Sequence, residues 1–309
     1  HVKEFKRLGV TGDFENYYST MSFTAEAQIV RELGKFLIDG SLYQGFKPVF
    51  WSTVEKTALA DAEVEYKDHT SNTIFVAFKV KSTKKDFLRD SNIVIWTTTP
   101  WTIPANKALA FNSGIEYSLV EIDNLENFRE KKIVVATNLL DSIVKSCGIK
   151  QFKILKTFNG AEFEGTICSH PFQTLGYNFD VPMLDARFVT LEQGTGIVHC
   201  APSHGPDDFN LCLKHNIPSK YTVDNSGLYT DEIPFFAKTH VFKADSIVID
   251  KLKEFNKLLK NSKLQHSYPH SWRSKAPLIY RATPQWFISM EKNSLRDKAI
   301  KAIGDTTFY

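Results

Sequence analysis

Ile93-Val-Ile-Trp-Thr-Thr-Thr-Pro-Trp-Thr-Ile-Pro-Ala-Asn106 is the stretch whose reading decides the fold. Ile93 to Trp96 is a short apolar, β-rich run of the kind that forms a buried strand. Thr97, Thr98 and Thr99 place three hydroxyls in a row at its end. Pro100 stops the ladder because it has no N–H to donate. Trp101, Pro104 and Asn106 then continue into a rigid, turn-rich segment. Taken alone, the threonines are ordinary strand residues with solvated hydroxyls. A strand that ends in clustered hydroxyls and stiff turns also holds polar groups in fixed places.

Strand patterns surround this stretch. Residues 47–51 read as a strand. Residues 73–80 alternate Ile74, Val76 and Phe78 against Phe75, Ala77 and Lys79. Both faces are partly apolar, which suits the inside of a barrel or sandwich. Further strands are expected at 117–122, 132–136, 153–158, 166–169, 188–191 and 194–199. A helix is expected at 138–147, closed by Gly148 as C-cap. Others are expected at 206–215, at 244–259 and near 292–303. Near the start, Thr20, Ser22 or Thr24 caps a helix whose apolar face carries Ile29, Val30, Leu33, Phe36 and Leu37. The expected class is α+β, mostly β. A barrel-like body over 47–266 is flanked by an N-terminal helical stem (1–46) and a C-terminal connecting stem (267–309).

The 309 residues are 42% hydrophobic and 24% charged, an ordinary globular composition. No apolar run approaches the roughly 18 residues that span a bilayer, so no membrane partner is expected. His1-Val-Lys-Glu-Phe-Lys-Arg7 has no apolar core of a secretory signal, and the first residue is not Met, so a fragment of a longer protein is expected. The net charge of +3 is compatible with a polyanionic partner. Cys147, Cys168, Cys200 and Cys212 form no C-x-x-C pair, which suggests neither a zinc site nor a disulfide framework. A reducing, cytoplasmic setting is the expectation.

The second chemically dense stretch is Gly194-Thr-Gly-Ile-Val-His-Cys-Ala-Pro-Ser-His-Gly-Pro-Asp-Asp208. Its glycines permit close backbone approach to a ligand. Asp207 and Asp208 follow Pro206 at a helix start, where capping and dipole matching explain them without any ligand. His199 reads equally as a satisfied core imidazole, and His204 as a solvated loop residue. His199 and Cys200 are strand neighbours on opposite faces, which disfavours a nucleophilic pair. A metal set of His199, His204, Asp207 and Asp208 matches no known ligand spacing.

Together the two stretches resemble the editing domain of isoleucyl-tRNA synthetase, in its bacterial form. The likeness continues through Phe5-Lys-Arg-Leu-Gly-Val10, Ala58-Leu-Ala-Asp-Ala-Glu-Val-Glu-Tyr66, Gln265-His-Ser-Tyr-Pro269 and Arg281-Ala-Thr-Pro-Gln-Trp-Phe-Ile-Ser-Met290. Thr99 stands where valyl and leucyl relatives carry Arg. The HIGH and KMSKS signatures of the synthetic site are absent, so the resemblance implies an editing insertion with connecting stems and no amino-acid activation. ATP and Mg then belong to the parent enzyme, and no cofactor is expected here. Some relatives carry two C-x-x-C pairs that form a zinc knuckle; the matching positions here are Ser52, Glu55, Ser271 and Ser274.

The implied reaction is hydrolysis of the ester between valine and the 3′ end of isoleucine tRNA. Its implied partners are that tRNA and the rest of a monomeric synthetase. Asp208 is the expected anchor for the α-ammonium. Thr98 and Thr99 are expected to bind substrate oxygens and place a water, and His199 to form a size-limiting wall or touch the ribose. The family's valine-against-isoleucine discrimination falls around the residues matching Thr99 and His199. Trp96, Thr97, Asn106, Thr195 and Asp207 complete the expected substrate-binding set. No serine with an adjacent base stands out, so bound water is the expected attacker. Three other readings compete: a valyl- or leucyl-type editing domain, a tRNA-binding module without activity, and a metal-dependent hydrolase. The basic, aromatic stretch from Tyr268 to Arg281 supports the second, since such side chains stack on bases. With no thiolates at the knuckle positions, metal analysis of the purified chain should find well under one zinc per molecule. A stoichiometric content would overturn the placement of those positions.

Overall fold

A buried strand can carry a site only if its neighbours hold both of its faces. The computed structural model describes residues 1–308. In chain order its strands are β1 (Leu42–Ser52), β2 (Thr57–Ala58), β3 (Val64–Ser82), β4 (Asn92–Thr97), β5 (Ala108–Phe111), β6 (Glu116–Ile122), β7 (Lys132–Ala136), β8 (Phe152–Asn159), β9 (Ile167–Ser169), β10 (Asp180–Asp185), β11 (Val198–Cys200), β12 (Leu258–Ser271) and β13 (Ile279–Ile288). The α-helices are α1 (Val2–Arg7), α2 (Phe23–Ile38), α3 (Leu140–Cys147), α4 (Pro206–Lys214), α5 (Val241–Glu254) and α6 (Leu295–Gly304). The fold is thus α+β and mostly β.

The chain divides into two compact units, one of His1–Gly45 with the residues from Pro284 onward, the other of Phe46–Thr283. In the smaller unit the Ser22 side chain accepts from Ala25 N and caps α2. Gly40, at φ +75°, follows the end of that helix. Ile29, Val30, Leu33 and Leu37 of its apolar face are exposed.

In the larger unit a sheet runs β11-β5-β10-β9-β3-β4-β7-β6-β8, with β12 also paired to β3. β4 lies between antiparallel β3 (Ile74↔Thr97 to Lys79↔Asn92) and parallel β7 (Ile93↔Val134). Its period-two alternation divides cleanly. Ile93 and Ile95 join Ile74, Val76 and Phe78 in one core, while Val94 joins Phe75, Ala77 and Val135 in another. Each such buried side chain contributes about 1.5–3 kcal/mol, which fixes the position of the strand end. The expected barrel is a bent sheet instead. β11 lies against β4, and no pair between the end strands β8 and β11 closes it among the described residues.

Three expected elements differ. The strand expected at 194–199 is a turn over 194–196 and joins the sheet only as β11. Residues 188–191 are a turn and loop, and the strand there is β10. Pro182, which pairs with Ile167, disguised β10, because proline argues against a strand interior. The helix expected to reach residue 259 ends at Glu254. Asn256 turns left-handed (φ +53°), and Leu258 opens β12. β12 pairs with β3 as far as Ser271↔Val64. Its polar middle, from Lys260 to Ser267, carries no alternation; the β3 partner alone makes it a strand. Residues 267–283 accordingly lie in the larger unit, where Arg281 is 1% exposed and stacks 4.2 Å from the Trp51 ring.

The knuckle positions do converge. Glu55 Oε1 accepts from Ser271 Oγ (2.8 Å) and Ser274 N (2.9 Å), and Ser52 Oγ donates to Glu55 Oε2. Hydroxyls and one carboxylate do not fit a zinc knuckle, which needs thiolates or imidazoles. The Glu55 carboxylate instead ties the end of β12 to the turn after β1. Replacing Glu55 with Ala strands the buried Ser52 and Ser271 hydroxyls. A loss of about 1–3 kcal/mol is expected, read as a lower urea midpoint. An unchanged midpoint would deny this tie any structural weight.

Candidate functional site

The end of β4 is organised by hydroxyl groups. Thr97 Oγ1 accepts from Thr99 N (3.1 Å) and lies 3.1 Å from Thr99 Oγ1. A 3₁₀ turn, Pro100–Ala105, follows, with proline at its first position, where no N–H is needed. Within it Thr102 Oγ1 donates to Thr99 O (2.8 Å). A hydroxyl has one proton. Thr102 Oγ1 must therefore accept at its 3.0 Å contact with His199 Nε2, which makes Nε2 the protonated nitrogen. His199 Nδ1 then faces the Asn106 amide (3.5 Å), which also donates to Ala108 O (2.9 Å). Burial first, and the neighbouring His204 second, push the His199 pKa down to about 4. His199 is thus a fixed, neutral ring behind the threonines.

Of the three threonines, Thr98 alone makes no side-chain hydrogen bond among the described residues, and it lines two clefts. The first, about 360 Å³, is lined by Thr98, Thr99, Trp101, Asp245, Tyr268 and Asn72, among others. The second, about 260 Å³, is lined by Trp96, Thr97, Thr98, Phe188, Gln193 and the Gly194–Val198 backbone.

The glycine-rich wall of the second cleft is held from behind. Ala136 N donates to Thr195 O (2.8 Å), and Tyr117 Oη donates to Gly196 O (2.8 Å). Gly196 has φ +72°, and a Cβ there would lie 2.4 Å from Ala136 Cβ, so only glycine fits. The Thr195 hydroxyl is used within the loop, donating to Ile197 O (3.0 Å).

His199, Asn106, Asp207 and Asp208 line neither cleft. Asp207 is exposed in the first turn of α4. Asp208 Oδ2 accepts from Ala201 N (2.8 Å), which pins the loop; its other oxygen carries no hydrogen bond among the described residues. Burial pushes the Asp208 carboxyl up to about 7, opposed by the Ala201 bond and aided by Asp207. His204, expected in solvent, is buried. Its Nδ1 donates to Tyr280 O (2.9 Å), Thr222 Oγ1 lies 2.9 Å from Nε2, and its ring meets Trp101 edge-on at 4.8 Å. Cys200 faces away from His199, among Ala108, Ala110 and Cys212. Burial keeps its thiol protonated. Among the described residues no group of three or more His, Cys, Asp or Glu is placed to hold a metal.

Asp245, Asn72 and Tyr268 had no place in the sequence-derived set. Asp245 did leave a signal. It lies four residues after Val241 and three before Val248, a carboxylate on the edge of the buried stripe of α5. Burial raises its pKa to about 6, against hydrogen bonds from Asn72 and Trp101. One serine–histidine contact also reaches the first cleft: Ser71 Oγ lies 2.9 Å from His266 Nε2. No carboxylate orients His266 among the described residues, so the third member of a nucleophilic triad is missing.

The arrangement is a pair of polar clefts meeting at one free hydroxyl, over a rigid neutral floor. Similarity to known proteins follows the same line. The family description "tRNA synthetases class I (I, L, M and V)" matches residues 1–309. The isoleucine–tRNA ligase of Pelagibacter ubique (strain HTCC1062) is 66% identical over 309 residues, 100% of this chain and 34% of that protein. That of Gluconobacter oxydans (strain 621H) is 48% identical over 325 residues, 99% of this chain and 34% of that protein. Among solved structures, the crystal structure of the P. knowlesi cytosolic leucyl-tRNA synthetase editing domain is 13% identical, with a TM-score of 0.46 over 63% of this chain and 96% of that one. That of GlLeuRS-CP1 is 11% identical, with a TM-score of 0.48 over 62% and 99%. The chain spans about a third of the length of the curated relatives it matches. No helix among the described residues is long and apolar enough to cross a membrane. The chain belongs to the class I tRNA synthetases, and within that family it is similar throughout to the isoleucyl enzymes over a segment one third of their length.

Proposed function

We propose that this segment hydrolyses valine from mischarged isoleucine tRNA, as the editing body of a cytoplasmic, monomeric synthetase. The observation that carries this reading is the free Thr98 hydroxyl at the junction of two clefts, in a chain similar throughout to isoleucine–tRNA ligases. The physical need is plain. One methylene in an apolar pocket is worth about 1–3 kcal/mol, too little for faithful translation, an argument for which isoleucyl-tRNA synthetase is itself the standard example. A second site must admit valine and refuse isoleucine.

In this reading the terminal adenosine lies in the second cleft, between the Trp96 and Phe188 rings and the Gly194–Val198 backbone. The valyl group lies in the first cleft, against Trp101. Thr98 donates to the ester region, and water held near Thr98 and Thr99 attacks the carbonyl carbon. The alkoxide of the ribose leaves and takes a proton. His199, Thr102, Asn106 and Thr97 keep the floor from shifting, and Thr195 shapes the glycine loop. Asp208, expected as the anchor for the α-ammonium, lines neither cleft and so makes no direct contact there; when ionised it favours the cation through its charge, from behind the Ala201 loop, with Asp207 at the solvent side. The Ser71–His266 contact serves the β3–β12 pairing. The larger unit, Phe46–Thr283, is the editing body expected over 47–266, and the flanks beyond it are stems. ATP and Mg act elsewhere in the parent enzyme.

Incubation of the chain with Val-tRNA(Ile) should release valine. Thr98→Ala should slow release about 100-fold, the usual cost of one placed donor. Absence of turnover by the unaltered chain would sink the reading, and preference for Thr-tRNA would favour a valyl-type domain. The attraction between Asp208 and the α-ammonium needs Asp208 ionised, and burial pushes its carboxyl up to about 7. In the free chain the group is therefore protonated below that value. kcat/KM should fall as pH drops through about 7, approaching tenfold per unit. Asp208→Asn should be slow with that inflection lost; retention of the inflection would assign it to another group.

A further inference from the structure

The Trp101 peptide is clamped on both sides by residues far away in sequence. Its N–H donates to Asp245 Oδ1 (3.0 Å), and its carbonyl accepts from Tyr229 Oη. Asn72 Nδ2 donates to the other Asp245 oxygen (3.3 Å). α5, which carries Asp245, packs on the 3₁₀ turn that carries Trp101. The Trp101 side chain is 5% exposed, lines the first cleft and meets the edge of His204. With the peptide groups on both sides of it held, one at N–H and the next at C=O, this indole has no slack along the chain. The wall it forms stands beside Thr98 and Thr99.

We propose that Asp245 is a specificity-determining positioning residue. It holds the Trp101 wall in place and so sets the size of aliphatic side chain that the first cleft admits. The proposal rests on the editing function above. Asp245 acts through an acceptor atom, not through its charge. An amide oxygen at the same place keeps the clamp, whereas a methyl group releases it and lets Trp101 withdraw by the width of a methylene.

The experiment compares kcat/KM for deacylation of Val-tRNA(Ile) and Ile-tRNA(Ile) by the full chain, as unaltered protein, Asp245→Ala and Asp245→Asn. In Asp245→Ala the valine-to-isoleucine ratio should fall by about tenfold or more, chiefly through faster loss of isoleucine, since a pocket tuned to one methylene discriminates by 10–200-fold at most. Asp245→Asn should keep the ratio within about threefold. Tyr229→Phe, which frees the backbone carbonyl on the other side of the same residue, should lower the ratio as Asp245→Ala does. It also supplies the measurement if Asp245→Ala does not fold. A merely structural role would slow both substrates alike and leave the ratio intact, and that result overturns the proposal. Equal loss of the ratio in Asp245→Asn and Asp245→Ala overturns it too, because charge rather than the acceptor would then matter. Failure of the unaltered chain to deacylate Val-tRNA(Ile) removes the editing reading and this proposal together. Normal turnover with an unmoved ratio removes the proposal alone.

Discussion

Thr102 has one hydroxyl proton, and that proton is committed to the Thr99 carbonyl 2.8 Å away. The rest of the site depends on this. With its proton given away, Thr102 can only accept from His199 Nε2–H, while burial favours the neutral imidazole, whose second nitrogen faces the Asn106 amide. Thr97 and Thr99 are occupied with each other. One hydroxyl of the row, that of Thr98, stays free. Apart from the buried Asn106 Oδ1, which has no partner, the network is closed, and a floor held in this way is what discrimination by one methylene requires.

The same economy recurs elsewhere in the larger unit. Where some relatives use thiolates and zinc, a single carboxylate at Glu55 gathers Ser52, Ser271 and the Ser274 amide. Tyr117 reaches across the core to the Gly196 carbonyl, which fixes a loop whose only strain-free occupant is glycine. Asp245 caps the peptide of Trp101 from a helix that begins about 140 residues later in the chain. In each case a polar side chain holds a backbone group of an element distant in the chain.

Much of the framework was legible locally. β4, β6, β7, α3 and α4 announced themselves by alternation, by the αL glycine at 148 and by proline at the first helical position. These signals depend on neighbours within a few residues. β12 was not legible, because its polar middle becomes a strand only through pairing with β3. β10 was masked by Pro182, whose missing N–H is harmless at its position beside Ile167. His204 looked like a loop residue because the carbonyl and hydroxyl that bury it come from Tyr280 and Thr222.

The sequence by itself determined that a buried strand ends in three threonines and a proline, that a glycine-rich segment with His199 leads to an acidic helix start, and that both belong to an isoleucyl-type synthetase segment. It did not determine which threonine hydroxyl is free, which histidine nitrogen carries the proton, or which carboxylate lines the cleft with Thr98. Only the tertiary structure decided those. The reason is that a hydroxyl or imidazole proton goes to whichever acceptor lies within about 3 Å, and here those acceptors come from chain segments roughly a hundred residues apart or more.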